Sequence, residues 1–280
     1  MLLRLSQLSL PYLLGLGILS ASAFCVTHAA TSGMPDLDRE SRMVAEIEDS
    51  ILDGESVFLP SGNASHQFMA IDMVPDDKPR GAVILLHGRG YHANWPDVIQ
   101  PLRVGLAEQG WRTLSLQMPV LEKAAKYYDY VPLFTHAQPR IEAAITYLKQ
   151  QGIHNIVLFS HSCGVHMAMD WVRDQGDQSL AAYIGAGMGA TDYQQKMAEP
   201  FPLADMRVPV LDIYGSQEFK GVLRMAPERL AAIKKANHPK SRQQVIDGAN
   251  HYFNTEEQSE ALLTSVTSWL DSLGLVEGDK

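Results

Sequence analysis

Apolar residues recur at helical spacing between residues 36 and 52. Leu37, Met43, Val44, Ile47 and Ile51 share one face, which predicts an amphipathic helix. Two short strand-like runs follow, at 55–59 and 67–73, separated by Pro60-Ser61-Gly62-Asn63. Turn residues between two such runs predict an antiparallel hairpin.

The pattern changes at Ala82-Val83-Ile84-Leu85-Leu86. This unbroken apolar run is what a strand buried on both faces requires. Beyond it, helix is predicted over 95–109, 138–151, 163–174, 225–236 and 256–273. Strand is predicted over 111–116, 155–159, 180–184, 208–214 and 243–246. Strands alternating with helices of this length predict an α/β fold: a mostly parallel sheet, helices on both faces, and the hairpin leading in. No internal repeat or low-complexity stretch interrupts the pattern, so residues 31–280 are expected to form one domain.

Residues 1–30 read differently. Arg4 gives a positive start, an apolar stretch over 8–24 is broken by Pro11, Gly15 and Gly17, and small residues follow. This is the layout of a signal peptide, with Ala21-Ser22-Ala23 or Thr27-His28-Ala29 as cleavage contexts. An uncleaved anchor is the alternative, although seventeen residues is at the lower limit for a spanning helix. The expectation is an exported, periplasmic or secreted protein with no stable membrane span after cleavage. Cys25 leaves with the leader, so Cys163 has no disulfide partner in the mature chain.

The formal net charge is -9, and -10 once Arg4 is gone. A nucleic-acid binder needs a basic face, which this balance argues against, and docking to anionic lipid is disfavoured for the same reason. A small-molecule substrate is the expected partner. In a sheet of this kind, reacting groups sit beyond the carboxyl ends of the strands.

The 155–159 strand leads into Ser160-His161-Ser162-Cys163-Gly164. This resembles the G-x-S-x-G elbow, a sharp strand-to-helix turn that exposes a nucleophilic serine, with Ser160 in place of the first glycine. The plain alternative is that Ser162 only caps the next helix. The first buried strand ends in His87-Gly88-Arg89-Gly90. Acyl transfer needs N–H donors aimed at the developing oxyanion, and the backbone of Cys163 and of Arg89 would supply two. His251, just past the last strand, is placed to take the serine proton. Between serine and histidine, Glu218 follows the 208–214 strand and would orient His251; Asp212, inside that strand, is the alternative acid. The chain order serine, acid, histidine, each after a successive strand, is the order associated with this type of site.

On these motifs the chain resembles the α/β-hydrolase superfamily over about residues 55–273. From Gly81 to Leu121 it more closely resembles a family of exported proteobacterial proteins of unknown function within that superfamily. Trp95-Pro96-Asp97, Pro101-Leu102-Arg103, Gly110-Trp111 and Met118-Pro119 carry that likeness. The resemblance implies the fold and the compartment and names no substrate.

Other features weigh less. Gly185-Ala186-Gly187-Met188-Gly189-Ala190 matches a dinucleotide-binding fingerprint, with Asp205 twenty residues on, but it comes late in the sheet and no helix is predicted after it. His161 and His166 lack metal-ligand spacing on a helix face, and no HExxH or paired CxxC occurs, so neither cofactor nor metal is expected. Residues 119–139, with Tyr127, Tyr128 and Tyr130, are long enough to roof a pocket. The expected function is hydrolysis of a small ester or thioester through an acyl-enzyme on Ser162. The rival is a non-catalytic binding or envelope-assembly protein that keeps the fold without turnover. The Arg89 side chain, facing the pocket, would favour anionic substrates.

Overall fold

The computed structural model describes residues 33–192 and 195–275. The signal peptide expected over residues 1–30 lies outside the described residues. The chain begins with α1 (Leu37–Ser50), whose Asp36 side chain accepts a hydrogen bond from the Arg39 N–H at 2.9 Å and caps the first turn. Ile47, Val44 and Ile51 pack against Met69 and Ile71, so the amphipathic face read from the sequence is the face that is covered.

The strands β1 (Glu55–Ser61) and β2 (Asn63–Met73) form the antiparallel hairpin. Then come β3 (Ala82–Leu86), α2 (Ile99–Glu108), β4 (Arg112–Leu116), α3 (Tyr127–Tyr130), a single 3₁₀ turn, and α4 (Phe134–Gln150). The second half runs β5 (Ile156–His161), α5 (Cys163–Gln175), β6 (Ala182–Ala186), β7 (Val210–Gln217), α6 (Lys220–Ala236), β8 (Arg242–Asn250) and α7 (Glu256–Leu273). The described strands make one sheet in the order β1-β2-β4-β3-β5-β6-β7-β8. β1 and β2, and β2 and β4, pair antiparallel, and every other neighbour is parallel.

All five residues of β3, of β4 and of β6, and all six of β5, are buried, which is why these strands show no alternation in the sequence. Side chains from α4, α5 and α6 fill one face of the sheet. Those from α2 and α7 fill the other. The edge strands β1 and β8 are largely exposed or half-buried, with Leu59 buried in β1 and Ile246 and Ala249 in β8.

Three helix starts differ from expectation, and each has a local cause. The helix expected at 95 begins at Ile99, because Pro96 and the Tyr91–Trp95 stack (centroids 3.8 Å apart) hold the approach in turns. The helices expected at 138 and 225 begin at Phe134 and Lys220 and run through Pro139 and Pro227. Proline removes one backbone donor and so reads as a boundary, but an interior proline is tolerated where freed carbonyls find other donors. In α6 the buried Arg229 guanidinium donates to the Val222 carbonyl, next to the Leu223 carbonyl that Pro227 leaves without its helical donor.

Candidate active site

The site assembles at the carboxyl ends of β3, β5, β6, β7 and β8. Ser162 links β5 to α5 with φ 56° and ψ −117°, a strained conformation for a residue with a side chain. Its hydroxyl caps nothing; instead it lies 2.9 Å from Nε2 of His251. The helix-cap alternative for Ser162 is thereby set aside, and so is the wide serine–histidine separation that a non-catalytic site would show.

The sharp turn is possible because of what surrounds it. A methyl group at Gly164 would sit 2.6 Å from the His87 carbonyl oxygen and 2.8 Å from that of Leu86. Those are backbone atoms that cannot step aside, so glycine is required where α5 crosses β3. Ser160 fits at the other glycine position because its hydroxyl turns into the sheet and bonds the Tyr183 hydroxyl at 2.6 Å.

His251 follows β8 in a loop braced by Asn250, whose Oδ1 accepts from the N–H groups of Tyr252 (2.8 Å) and Phe253 (3.1 Å). Its Nδ1 meets Glu218 Oε1 at 2.9 Å and Oε2 at 2.8 Å. A carboxylate only accepts, so Nδ1 carries the proton and Nε2 presents its lone pair to Ser162. Glu218 is buried, and its Oε2 also accepts the Phe219 N–H at 2.8 Å.

Asp212, the alternative acid, is not at the site. It is fully buried within β7 and paired with Arg229 Nε at 2.8 Å, with Gln243 Nε2 at 2.7 Å. Burial pushes its carboxyl up, against the opposing pull of Arg229. An acid inside a strand needs a partner, and α6 supplies it from below the carboxyl edge.

Cys163 is the first residue of α5, and its buried thiol is pushed up to about 12 by burial, so it is held neutral. Its N–H is one of the first-turn donors that have no partner inside the helix. Arg89 stands in the loop after β3, beside Gly88, whose α-carbon faces both Ser162 Cβ and the Tyr91 ring. The Arg89 guanidinium does not stand free for a substrate anion: both Nη atoms bond Asp192, each at 3.1 Å. Asp192 also accepts the Tyr127 N–H at 2.5 Å, which ties the 119–139 segment over the site.

Several contributors escaped the sequence reading. Gly187, in the glycine-rich run after β6, has φ +63°, and a methyl group there would sit 2.9 Å from Glu218 Oε1 and from the His251 ring. Among the described residues no helix follows directly on 185–190, and the bare backbone of Gly187 leaves the space that Glu218 and His251 occupy. His161 donates from Nε2 to the His251 carbonyl at 2.9 Å, pinning the His251 backbone to β5. Burial drives its pKa down to about 3, so the ring is neutral. His87, also brought to about 3 by burial, donates from Nδ1 to the Gly88 carbonyl (2.8 Å) and accepts the Met118 N–H on Nε2 (2.9 Å). The loop is held from outside by α1: Arg39 donates to the carbonyls of Gly90 (3.2 Å) and Leu121 (2.5 Å). Glu40 in the same helix pairs with Arg140 at 2.9 Å, both of them buried. Adjacency to the elbow and to the HGRG loop was the available signal for His161 and His87, and the glycine-rich run after a strand was that for Gly187; Arg39 left none.

Among the described residues, no cluster of three or more His, Cys, Asp or Glu is arranged to hold a metal, and no helix is long and apolar enough to cross a membrane.

Comparison with known proteins gives the same fold. A family model described as a protein of unknown function, DUF3530, matches residues 22–130 and 134–272. No curated protein matches the sequence. Among solved structures, a dienelactone hydrolase from Anabaena variabilis is similar with a TM-score of 0.61 at 16% identity, over 78% of this chain and 96% of that one. Est1E from Butyrivibrio proteoclasticus gives 0.58 at 15%, over 78% and 98%. An α/β serine hydrolase homologue from Coxiella burnetii gives 0.57 at 18%, over 78% and 98%. At such identities the likeness is one of fold, and the fold is that of the α/β hydrolases.

Proposed function

The chain belongs to the DUF3530 family of proteins of unknown function, and we propose that it hydrolyses small carboxylic esters or thioesters through an acyl-enzyme on Ser162. The observation that carries this reading is the aim of the Ser162 hydroxyl. It leaves the N-terminus of α5 uncapped in order to meet His251 Nε2 at 2.9 Å, while Glu218 fixes the other ring nitrogen. A serine that served the fold alone would cap its helix.

The chemistry follows from the placements. His251 Nε2 takes the hydroxyl proton as Oγ attacks the carbonyl carbon, and Glu218 stabilises the resulting imidazolium. The oxyanion forms where the N–H groups of Cys163 and Arg89 converge, with the start of α5 adding its positive end. On collapse the C–O bond breaks, its electron pair stays on the leaving oxygen, and that oxygen takes the proton from Nε2. Water, activated by the same nitrogen, then releases the acid. The bond from His161 to the His251 carbonyl and the space at Gly187 keep the base in register through both halves.

The test is labelling of the purified protein with a fluorophosphonate probe, beside Ser162→Ala and His251→Ala. Wild type is expected to label and both variants to fail. A well-folded wild type that stays unlabelled would favour the non-catalytic reading instead. We also propose export through residues 1–30. Mass spectrometry of the periplasmic protein would then find a new N-terminus after Ala23 or Ala29, and a full-length chain in the cytoplasm would contradict it.

A further inference from the structure

We propose that the site selects esters by their alcohol, favouring apolar leaving groups such as benzyl or medium-chain alkyl, and that Phe219, Leu223 and Tyr252 form the surface that reads them. This rests on the serine-hydrolase reading above.

Two of the large apolar side chains that the chain leaves exposed stand against His251, and a third follows one helical turn on. Phe219 is 42% exposed, Leu223 37% and Tyr252 36%. The Phe219 ring stacks on the His251 imidazole, with centroids 4.2 Å apart and planes at 26°. Tyr252 stands edge-on to both, 5.3 Å from the imidazole and 5.8 Å from Phe219. Leu223 lies one helical turn beyond Phe219, and its N–H bonds the Phe219 carbonyl at 3.2 Å. Their backbone is fixed: Glu218 holds the Phe219 N–H at 2.8 Å and Asn250 holds that of Tyr252 at 2.8 Å. Single exposed apolar residues are ordinary, but a contiguous set at a reactive group marks a binding surface.

Proton bookkeeping says which half of the ester meets it. The proton that leaves Ser162 Oγ comes to rest on His251 Nε2. When the tetrahedral intermediate collapses, that proton goes to the departing alkoxide, so the leaving oxygen must come within hydrogen-bond reach of Nε2. The carbons attached to that oxygen then lie beside the imidazole, whose neighbours are the buried His161 and the exposed Phe219 and Tyr252; the exposed pair is the side open to a substrate. On the serine-hydrolase reading the carbonyl oxygen is held by the Cys163 and Arg89 N–H groups instead. The acyl half is therefore kept from this surface, and the alcohol half is laid on it. Aromatic faces reward planar or extended apolar groups.

The experiment compares acetates of methanol, butanol, octanol and benzyl alcohol, with acid release followed by pH-stat. The acyl half, and hence deacylation, is common to all four. Wild type, Phe219→Ala, Phe219→Leu and Tyr252→Ala are each measured, and folding is checked by melting temperature. Dividing wild-type by variant rates cancels the intrinsic reactivity of each alcohol. Phe219→Ala is expected to cut kcat/KM for benzyl and octyl acetate about tenfold more than for methyl acetate, with Phe219→Leu in between. An equal fall on all four acetates would mean that Phe219 only shields His251, and would overturn the inference. So would equal wild-type specificity for all four alcohols in a protein that labels with fluorophosphonate; the hydrolase reading would survive that result. Neither labelling nor turnover would overturn both.

Discussion

Glu218→Gln is expected to lower kcat by about 10⁴-fold while leaving the chain folded. The reason is the tautomer of His251. Both carboxylate oxygens of Glu218 face Nδ1, at 2.9 and 2.8 Å, so the ring proton sits there and Nε2 is bare. A glutamine amide offers a donor in the same place. The imidazole then moves its proton to Nε2, where it cannot accept one from Ser162. The imidazolium also loses its counter-charge at the moment it forms. Ester turnover and the rate of fluorophosphonate labelling should fall together, since both need an activated serine. Asp212→Asn separates the two acids. It leaves the buried Arg229 without its ion partner, costing about 3–5 kcal/mol of stability, while the folded fraction still labels at the wild-type rate. If instead Asp212→Asn abolished labelling in folded protein and Glu218→Gln did not, the assignment of the acid would be reversed.

Acid should unfold this protein in a window set by histidines. His87, His161 and His166 are fully enclosed and held neutral: burial lowers their pKa values to about 3, 3 and 4. In the unfolded chain each returns to about 6.5. The unfolded state therefore binds more protons below that value, and stability rises with pH across the interval. The contribution is fully present above about pH 6.5 and is lost as pH falls toward the folded values. Each histidine forfeits about 2 kcal/mol between pH 7 and pH 5. Three together approach the whole stability of a typical domain, about 5–15 kcal/mol. Urea midpoints at pH 7.5 and pH 5 should differ sharply, at constant slope. His166→Gln keeps a donor for the Ala190 carbonyl, which His166 Nε2 meets at 3.0 Å, and removes one titration. It should flatten the acid limb by about a third. An acid limb unchanged in that variant would locate the sensitivity elsewhere.

The sheet was legible because burial writes itself directly into composition. Val83, Ile84 and Leu85 have no solvent side, and the unbroken apolar run says so. The order of reacting groups was legible for a related reason: each follows a strand, and strands could be found. Glu218 and Asp212 could be ranked on depth within β7 alone; in the structure Glu218 meets His251 and Asp212 pairs with Arg229. What stayed hidden depends on distance in sequence. Arg229 lies inside the helix predicted over 225–236, but nothing local says that it turns back onto Asp212, 17 positions earlier. Gly187 stands out as part of a glycine-rich run, but what needs its bare backbone arrives from 31 and 64 positions away, as Glu218 and His251. The Arg89 side chain was expected to greet a substrate anion, yet Asp192, 103 positions on, already fills that fork. Local chemistry can be read from a chain; exclusive claims on a hydrogen bond cannot.

The reach of α1 has a consequence for how the chain tolerates shortening. Asp36 caps that helix and joins it to Val120 through a 2.8 Å backbone bond, and Arg39 spans from Leu121 to the Gly90 carbonyl of the loop beside the nucleophile. Between them these few residues act as a brace screwed on from outside. Ragged ends left by a protease upstream of Asp36 cost nothing at the reactive serine. A cut only a few residues further in would leave every sheet strand intact and loosen the one loop that must not yield when charge appears on the substrate.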